Sequence, residues 1–142
     1  MLLAVDASVL VAELPRARGR RILDDPGLEF VVAEQAWSEV LHELPARLAA
    51  RERHGHLHGG RASEMMDECL RLAIIHLPVI ASEAYAPLEV AARRRVPRDP
   101  NDWPTVALAL TLECGIWTAD ADFLGCGVPT WTTETLGLHL ES

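Results

Sequence analysis

The sequence contains no lysine, and all thirteen of its basic side chains are arginine. That absence excludes a Walker-A phosphate loop, a Schiff-base enzyme and any site built on an ammonium group. Cysteine is scarce. Cys69, Cys114 and Cys126 are odd in number and share no CxxC spacing, so neither a disulfide framework nor a zinc site is indicated. No apolar run approaches the roughly 18–20 residues that span a bilayer. The opening stretch MLLAVDASVLVAEL lacks a basic leader and carries Asp6 and Glu13, unlike a signal peptide. The expectation is a cytoplasmic protein with no membrane partner. Repeats, linkers and low-complexity segments are also missing, and 142 residues suit one domain over 1–142.

What is present in excess is negative charge, a net -8. Phosphate affinity normally comes from a basic surface, so this balance argues against a nucleic-acid partner. The argument fails if the acids are concentrated in one cleft and neutralised there by metal. The arginines, meanwhile, gather in patches: Arg16, Arg18, Arg20 and Arg21, then Arg47, Arg51 and Arg53, then Arg93, Arg94, Arg95 and Arg98. Solvated helix faces are the default reading of such runs.

The hydrophobic pattern alternates short apolar strands with helices. Leu2–Val5 reads as a buried parallel strand stopping at Asp6, with a helix from Ala7 to Leu14 closed by Pro15. A short helix over 16–24 ends at Asp25-Pro26-Gly27, and a second strand covers 28–32. Ala36, Val40, Leu44 and Leu48 recur at i+4 in a long helix over 34–53, where Pro45 is expected to kink or restart it. After the loop His54–Gly60 the pattern predicts a helix over 61–72 with Ser63 as N-cap, and a short strand over 77–80. A helix over 82–95, a loop over 97–101 and an Ala/Leu-rich helix over 102–113 come next, with Pro104 in the first turn of the last. Strands over 116–119 and 128–132 and a helix over 133–140 complete the chain. The fold class is α/β, a three-layer α/β/α sandwich around a mainly parallel sheet.

Four acids fall at telling places. Asp6 and Asp120 each end an apolar strand, Asp102 opens a helix after a Pro-rich loop, and Glu39 lies early in the long helix. Ligands of open parallel sheets bind beyond the carboxyl ends of the strands, so Asp6 and Asp120 should face one crevice, with Asp102 and Glu39 in reach. Each acid taken singly has a plainer reading: Asp6 and Asp102 as helix caps, Glu39 as a solvated helix residue. Glu43 lies one turn beyond Glu39 on the same face. Carboxylates sharing a cleft repel one another and require a counter-charge. An all-oxygen donor set favours Mg2+ or Mn2+, one ion or two, and such ions serve phosphodiester cleavage.

Four segments, V-D-A-S-V-L, S-E-V-L-H-E-L, R-D-P-N-D-W-P-T-V-A-L-A-L and I-W-T-A-D-A-D-F-L, in this order resemble the PIN-domain family, including the VapC-type toxins of bacterial toxin–antitoxin pairs. The resemblance spans nearly the whole chain. It implies a metal-dependent endoribonuclease with an acidic quartet, here Asp6, Glu39, Asp102 and Asp120, the motif aligning at Glu39 rather than Glu43. Ser8 and Thr118 resemble the family's supporting hydroxyls, and Asp99 and Asp122 are nearby acids suited to a second metal. Where the family often shows Thr-Gly-Asp, this chain has Thr118-Ala119-Asp120. The toxin subclass would imply an antitoxin that places an arginine in the acidic cleft.

Beside the acids, Arg95 and Arg98 are candidates for holding RNA phosphates and Trp103 for stacking a base. Val9, Leu10 and Leu14 are expected to expose an apolar helix face to an antitoxin or a homodimer partner. His54, His56 and His58 alternate with glycines in a conceivable metal loop, although surface histidines are the plainer reading. Two other functions are open to this pattern. One is a non-catalytic RNA-binding or scaffold module on the same fold, disfavoured because an acid cluster repels phosphate. The other is a phosphatase using Asp6 as nucleophile, disfavoured by the missing lysine and by Ser8 in its Asp-x-Asp motif.

Overall fold

A computed structural model describes residues 1–142. Five strands, β1 (Leu2–Val5), β2 (Glu29–Ala33), β3 (Val79–Ile80), β4 (Gly115–Trp117) and β5 (Thr130–Trp131), form one sheet in the order β3-β2-β1-β4-β5. Every pairing is parallel. Consecutive β1 residues Leu3, Ala4 and Val5 are all fully buried. Side chains of a strand alternate between faces, so both faces of the sheet are covered, which is the α/β/α layering.

Seven α-helices provide the cover: α1 (Ala7–Glu13), α2 (Ala17–Leu23), α3 (Glu34–Arg53), α4 (Arg61–His76), α5 (Glu89–Arg95), α6 (Trp103–Leu112) and α7 (Thr133–Glu141). Helix α6 is apolar nearly all round and lies against β1, β2 and β4, with α5 beside it. Helix α1 packs on α3 and α2, and α3 on α4. The i+4 row Ala36, Val40, Leu44 and Leu48 is the buried stripe of α3. No helix is long and apolar enough to cross a membrane.

Several local expectations are corrected. Val9, Leu10 and Leu14 are buried at 0%, 1% and 0% exposure. The packing of α1 against α3 covers them within this chain, so they present no face to a partner. Pro45 leaves α3 a single continuous helix. Helix α4 begins at Arg61 behind a left-handed Gly60, so Ser63 falls inside its first turn rather than at its cap. The segment expected as one helix over 82–95 is two 3-10 turns, Ser82–Ala84 and Ala86–Leu88, before α5. Pro87 has no N–H to carry an α-helix through that point.

Candidate functional site

The parallel register builds the site. Val5 pairs with Trp117, so the next residues along the two strands, Asp6 and Thr118, stand side by side beyond the strand ends. The Asp6 amide donates to the Trp117 carbonyl at 3.0 Å. The sheet neighbours of β1, namely β2 and β4, begin runs of strands that lead in opposite directions across the sheet, which makes this edge a topological switch point.

Asp6 is 7% exposed and does not cap α1 through its side chain. Its Oδ2 instead accepts hydrogen bonds from the Ser8 hydroxyl and, at 3.0 Å, from the Thr118 hydroxyl. Thr118 also accepts from the Asp120 amide at 3.0 Å, tying the two strand ends together. Burial pushes the Asp6 carboxyl up, the Ser8 and Thr118 bonds and the Ala7 amide pull it down, and Asp120 adds to the rise.

Asp102 likewise makes no capping bond, and its Oδ2 is buried without any hydrogen-bond partner. Its carboxyl is raised to about 7, first by burial and then by the charges of Asp6, Asp99, Asp120 and Asp122. Glu39, more open than either, is raised by partial burial and by Asp6, Glu43 and Asp99. Asp6, Glu39 and Asp102 line one small pocket with Asn101 and Thr105. Its free space is about 10 Å3, room for roughly one water-sized sphere.

The structure thus brings all four expected acids into one electrostatic neighbourhood, with a shift of weight among them. The tightest group is Asp99, Asp102 and Asp122, whose carboxylate oxygens lie within 4.8 Å of one another. Asp120 stands to one side, its Oδ1 accepting from the Asp122 amide at 2.9 Å, and lines a neighbouring hollow with Thr118 and Trp131. Asp99 accepts from the Asn101 amide at 3.1 Å, which turns the loop before Asp102. Asn101 and the buried Thr105 are site residues that the sequence reading missed. Their signal was present in R-D-P-N-D-W-P-T, since Thr105 comes three residues after Asp102 on one helix face.

An orphaned carboxylate oxygen surrounded by acids fits a hard cation better than any arrangement of protein donors. The donor set is entirely oxygen, without histidine or thiolate, which suits Mg2+ or Mn2+. The histidines of the 54–60 loop are exposed and remote from this group.

The candidate substrate contacts divide. Trp103 is 6% exposed, packed on Tyr85 at 5.8 Å between ring centroids, with the Arg93 guanidinium 5.4 Å above it. It has no open face for a base. Arg95 is exposed but gives one N–H to the Cys126 carbonyl at 3.0 Å, while Arg98 is exposed.

An α/β fold with an acid-lined pocket at the topological switch point places a ligand site beyond the carboxyl ends of β1 and β4. The sequence profile of the PIN domain matches residues 4–141, and the chain belongs to that family. PIN domains are generally nucleases that use divalent metal ions. No curated protein gives a significant match.

Proposed function

We propose that this protein is a divalent-metal-dependent endoribonuclease, with Asp6, Glu39, Asp102 and Asp120 as its acidic quartet and Asp99 and Asp122 extending it. The observation that carries the reading is the buried, unpartnered oxygen of Asp102, with the Asp99 and Asp122 carboxylates within 4.8 Å and the charges of Asp6 and Asp120 also acting on its carboxyl. A bound Mg2+ or Mn2+ would supply positive charge for the cleaved phosphodiester and ease deprotonation of the attacking water. Asp102 and Asp6 would hold that ion, with Asp99 and Asp122 able to reach the Asp102 side and Glu39 the Asp6 side. Ser8 and Thr118 fix the Asp6 rotamer by both donating to Oδ2, so that Oδ1 takes no hydroxyl donor. Hydrolysis forms one P–O bond to the water oxygen and breaks one P–O bond of the chain, so no protein nucleophile is needed. Exposed Arg98, and Arg95 beside it, are the phosphate contacts in this reading.

Cleavage of a structured RNA panel in Mg2+ or Mn2+ tests it. Asp6→Asn and EDTA should each abolish activity, and Thr118→Val, which frees the Asp6 rotamer, should cost on the order of 10–100-fold. Cleavage surviving both EDTA and Asp6→Asn ends the reading. A toxin role is the finer proposal, and a short neighbouring reading frame encoding a protein that inhibits cleavage would support it. The alternative, a scaffold that only binds RNA, predicts RNA affinity unchanged by Asp6→Asn and no cleavage under any metal.

A further inference from the structure

A cavity of about 420 Å3 lies between the C-terminal parts of α1 and α3. Its floor is apolar, formed by Val11, Pro15, Leu44 and Leu48, and its rim carries Arg16, Arg47, Arg51 and His56. Elsewhere several arginines are neutralised by a carboxylate: Arg18 by Glu13, Arg20 by Glu68, Arg61 by Glu64 and Arg93 by Glu89. Arg47 and Arg51 pair with none, and Arg16 only reaches Glu13 at 4.0 Å, behind Arg18 at 2.7 Å. The His56 amide donates to the Arg51 carbonyl at 2.8 Å, which holds the loop after α3 over the rim. In a chain of net charge -8, this is a concentration of uncompensated positive charge.

Its position relative to the acids is set by helical geometry. Glu39, Glu43, Arg47 and Arg51 succeed one another at i+4 along one flank of α3. Ser8 and Ala12 do the same on the facing helix α1, and both are half-buried. The acidic pocket and the basic cavity, which share no lining residue, therefore lie at two places along one seam between α1 and α3, the α1–α3 groove. Arg47 lies about 12 Å beyond Glu39 at 1.5 Å rise per residue, a span of a few nucleotides of extended strand.

We propose that the basic cavity is a phosphate subsite for a single-stranded nucleic acid whose backbone runs along the α1–α3 groove from the acidic pocket. Guanidinium forks match phosphate oxygens, and the apolar floor receives sugar or base surface. The assignment of that strand as substrate rests on the nuclease reading, whereas the subsite itself is a binding property.

Binding of fluorescent single-stranded RNA in EDTA, where no cleavage occurs, tests it with the full-length protein. Arg47→Gln/Arg51→Gln should reduce affinity for a strand of about twelve nucleotides. Its log–log salt slope should fall by about 1.4, so that the affinity lost between 50 and 200 mM salt shrinks about 7-fold. Arg47→Lys/Arg51→Lys should restore the slope, because charge and not packing sets it. A dinucleotide carries a single bridging phosphate, so its slope should change by no more than about 0.7. An unchanged slope with the longer strand overturns the proposal. So does preferential binding of a polyglutamate peptide over RNA at this rim, which would mark it as a docking place for an acidic protein. A wild-type protein that cleaves nothing but shows the slope change would retain the subsite and lose the nuclease reading.

Discussion

With its carboxyl raised to about 7, chiefly by burial and then by Asp6, Asp99, Asp120 and Asp122, Asp102 keeps a proton in the folded, metal-free protein where the unfolded chain has released it. The folded state then binds more protons than the unfolded state between about pH 4 and pH 7, so stability falls as pH rises through that window. Solvent screening of a half-open group limits the effect to on the order of 1–2 kcal/mol. Urea titrations of metal-free protein at pH 5 and pH 7.5 should show this loss, and Asp102→Asn should flatten it. A wild-type profile as flat as the variant's would mean that Asp102 is not the strained group. Asp6 shares the same direction, but the hydroxyls of Ser8 and Thr118 offset part of its burial.

At the level of elements, α1 and α2 meet at a contact that permits no side chain. A Cβ at Gly19 would stand 2.6 Å from the Glu13 Cβ and collide with the Glu13 backbone. Glu13, itself 3% exposed, is held there by Arg18 at 2.7 Å. Gly19→Ala should therefore destabilise by about 1–3 kcal/mol in urea unfolding, and an unchanged midpoint would show that the helices are not so closely apposed. The elements themselves were largely legible in the sequence, because apolar runs at strand length and the i+4 stripe of α3 are direct traces of burial. The features that escaped are set by neighbours or turns. The burial of Val9, Leu10 and Leu14 depends on α3, which no local pattern reveals, and Pro87 altered helix type rather than ending an element. In the site, strand ends exposed Asp6 and Asp120 to sequence reasoning. The centrality of Asp99 and Asp122 comes from side chain-to-amide turns at Asn101 and Asp122, which residue spacing does not encode. Trp103 looked available only because its cover, Tyr85 and Arg93, lies elsewhere in the chain.

For the molecule as a whole, an ion that binds only the folded chain must raise its melting temperature. At a hundred times the dissociation constant the gain is about 2.7 kcal/mol, which for a chain near this size corresponds to roughly 5–10 °C. Calorimetry with Mn2+ should show that rise in the wild type and its loss in Asp102→Asn. Equal shifts in both proteins would place the ion elsewhere.

The strand order has a consequence for the chain as it is made. Strand β1 is central, paired with residues 29–31 on one side and 115–117 on the other. Residues from the first and last fifths of the polypeptide must meet before Asp6 gains its Thr118 partner. A chain in which β4 and the residues after it have not yet joined the sheet holds Asp6, Glu39, Asp99 and Asp102 but lacks Thr118, Asp120 and Asp122, so the acid cluster is assembled only when residues far apart in the sequence dock on β1.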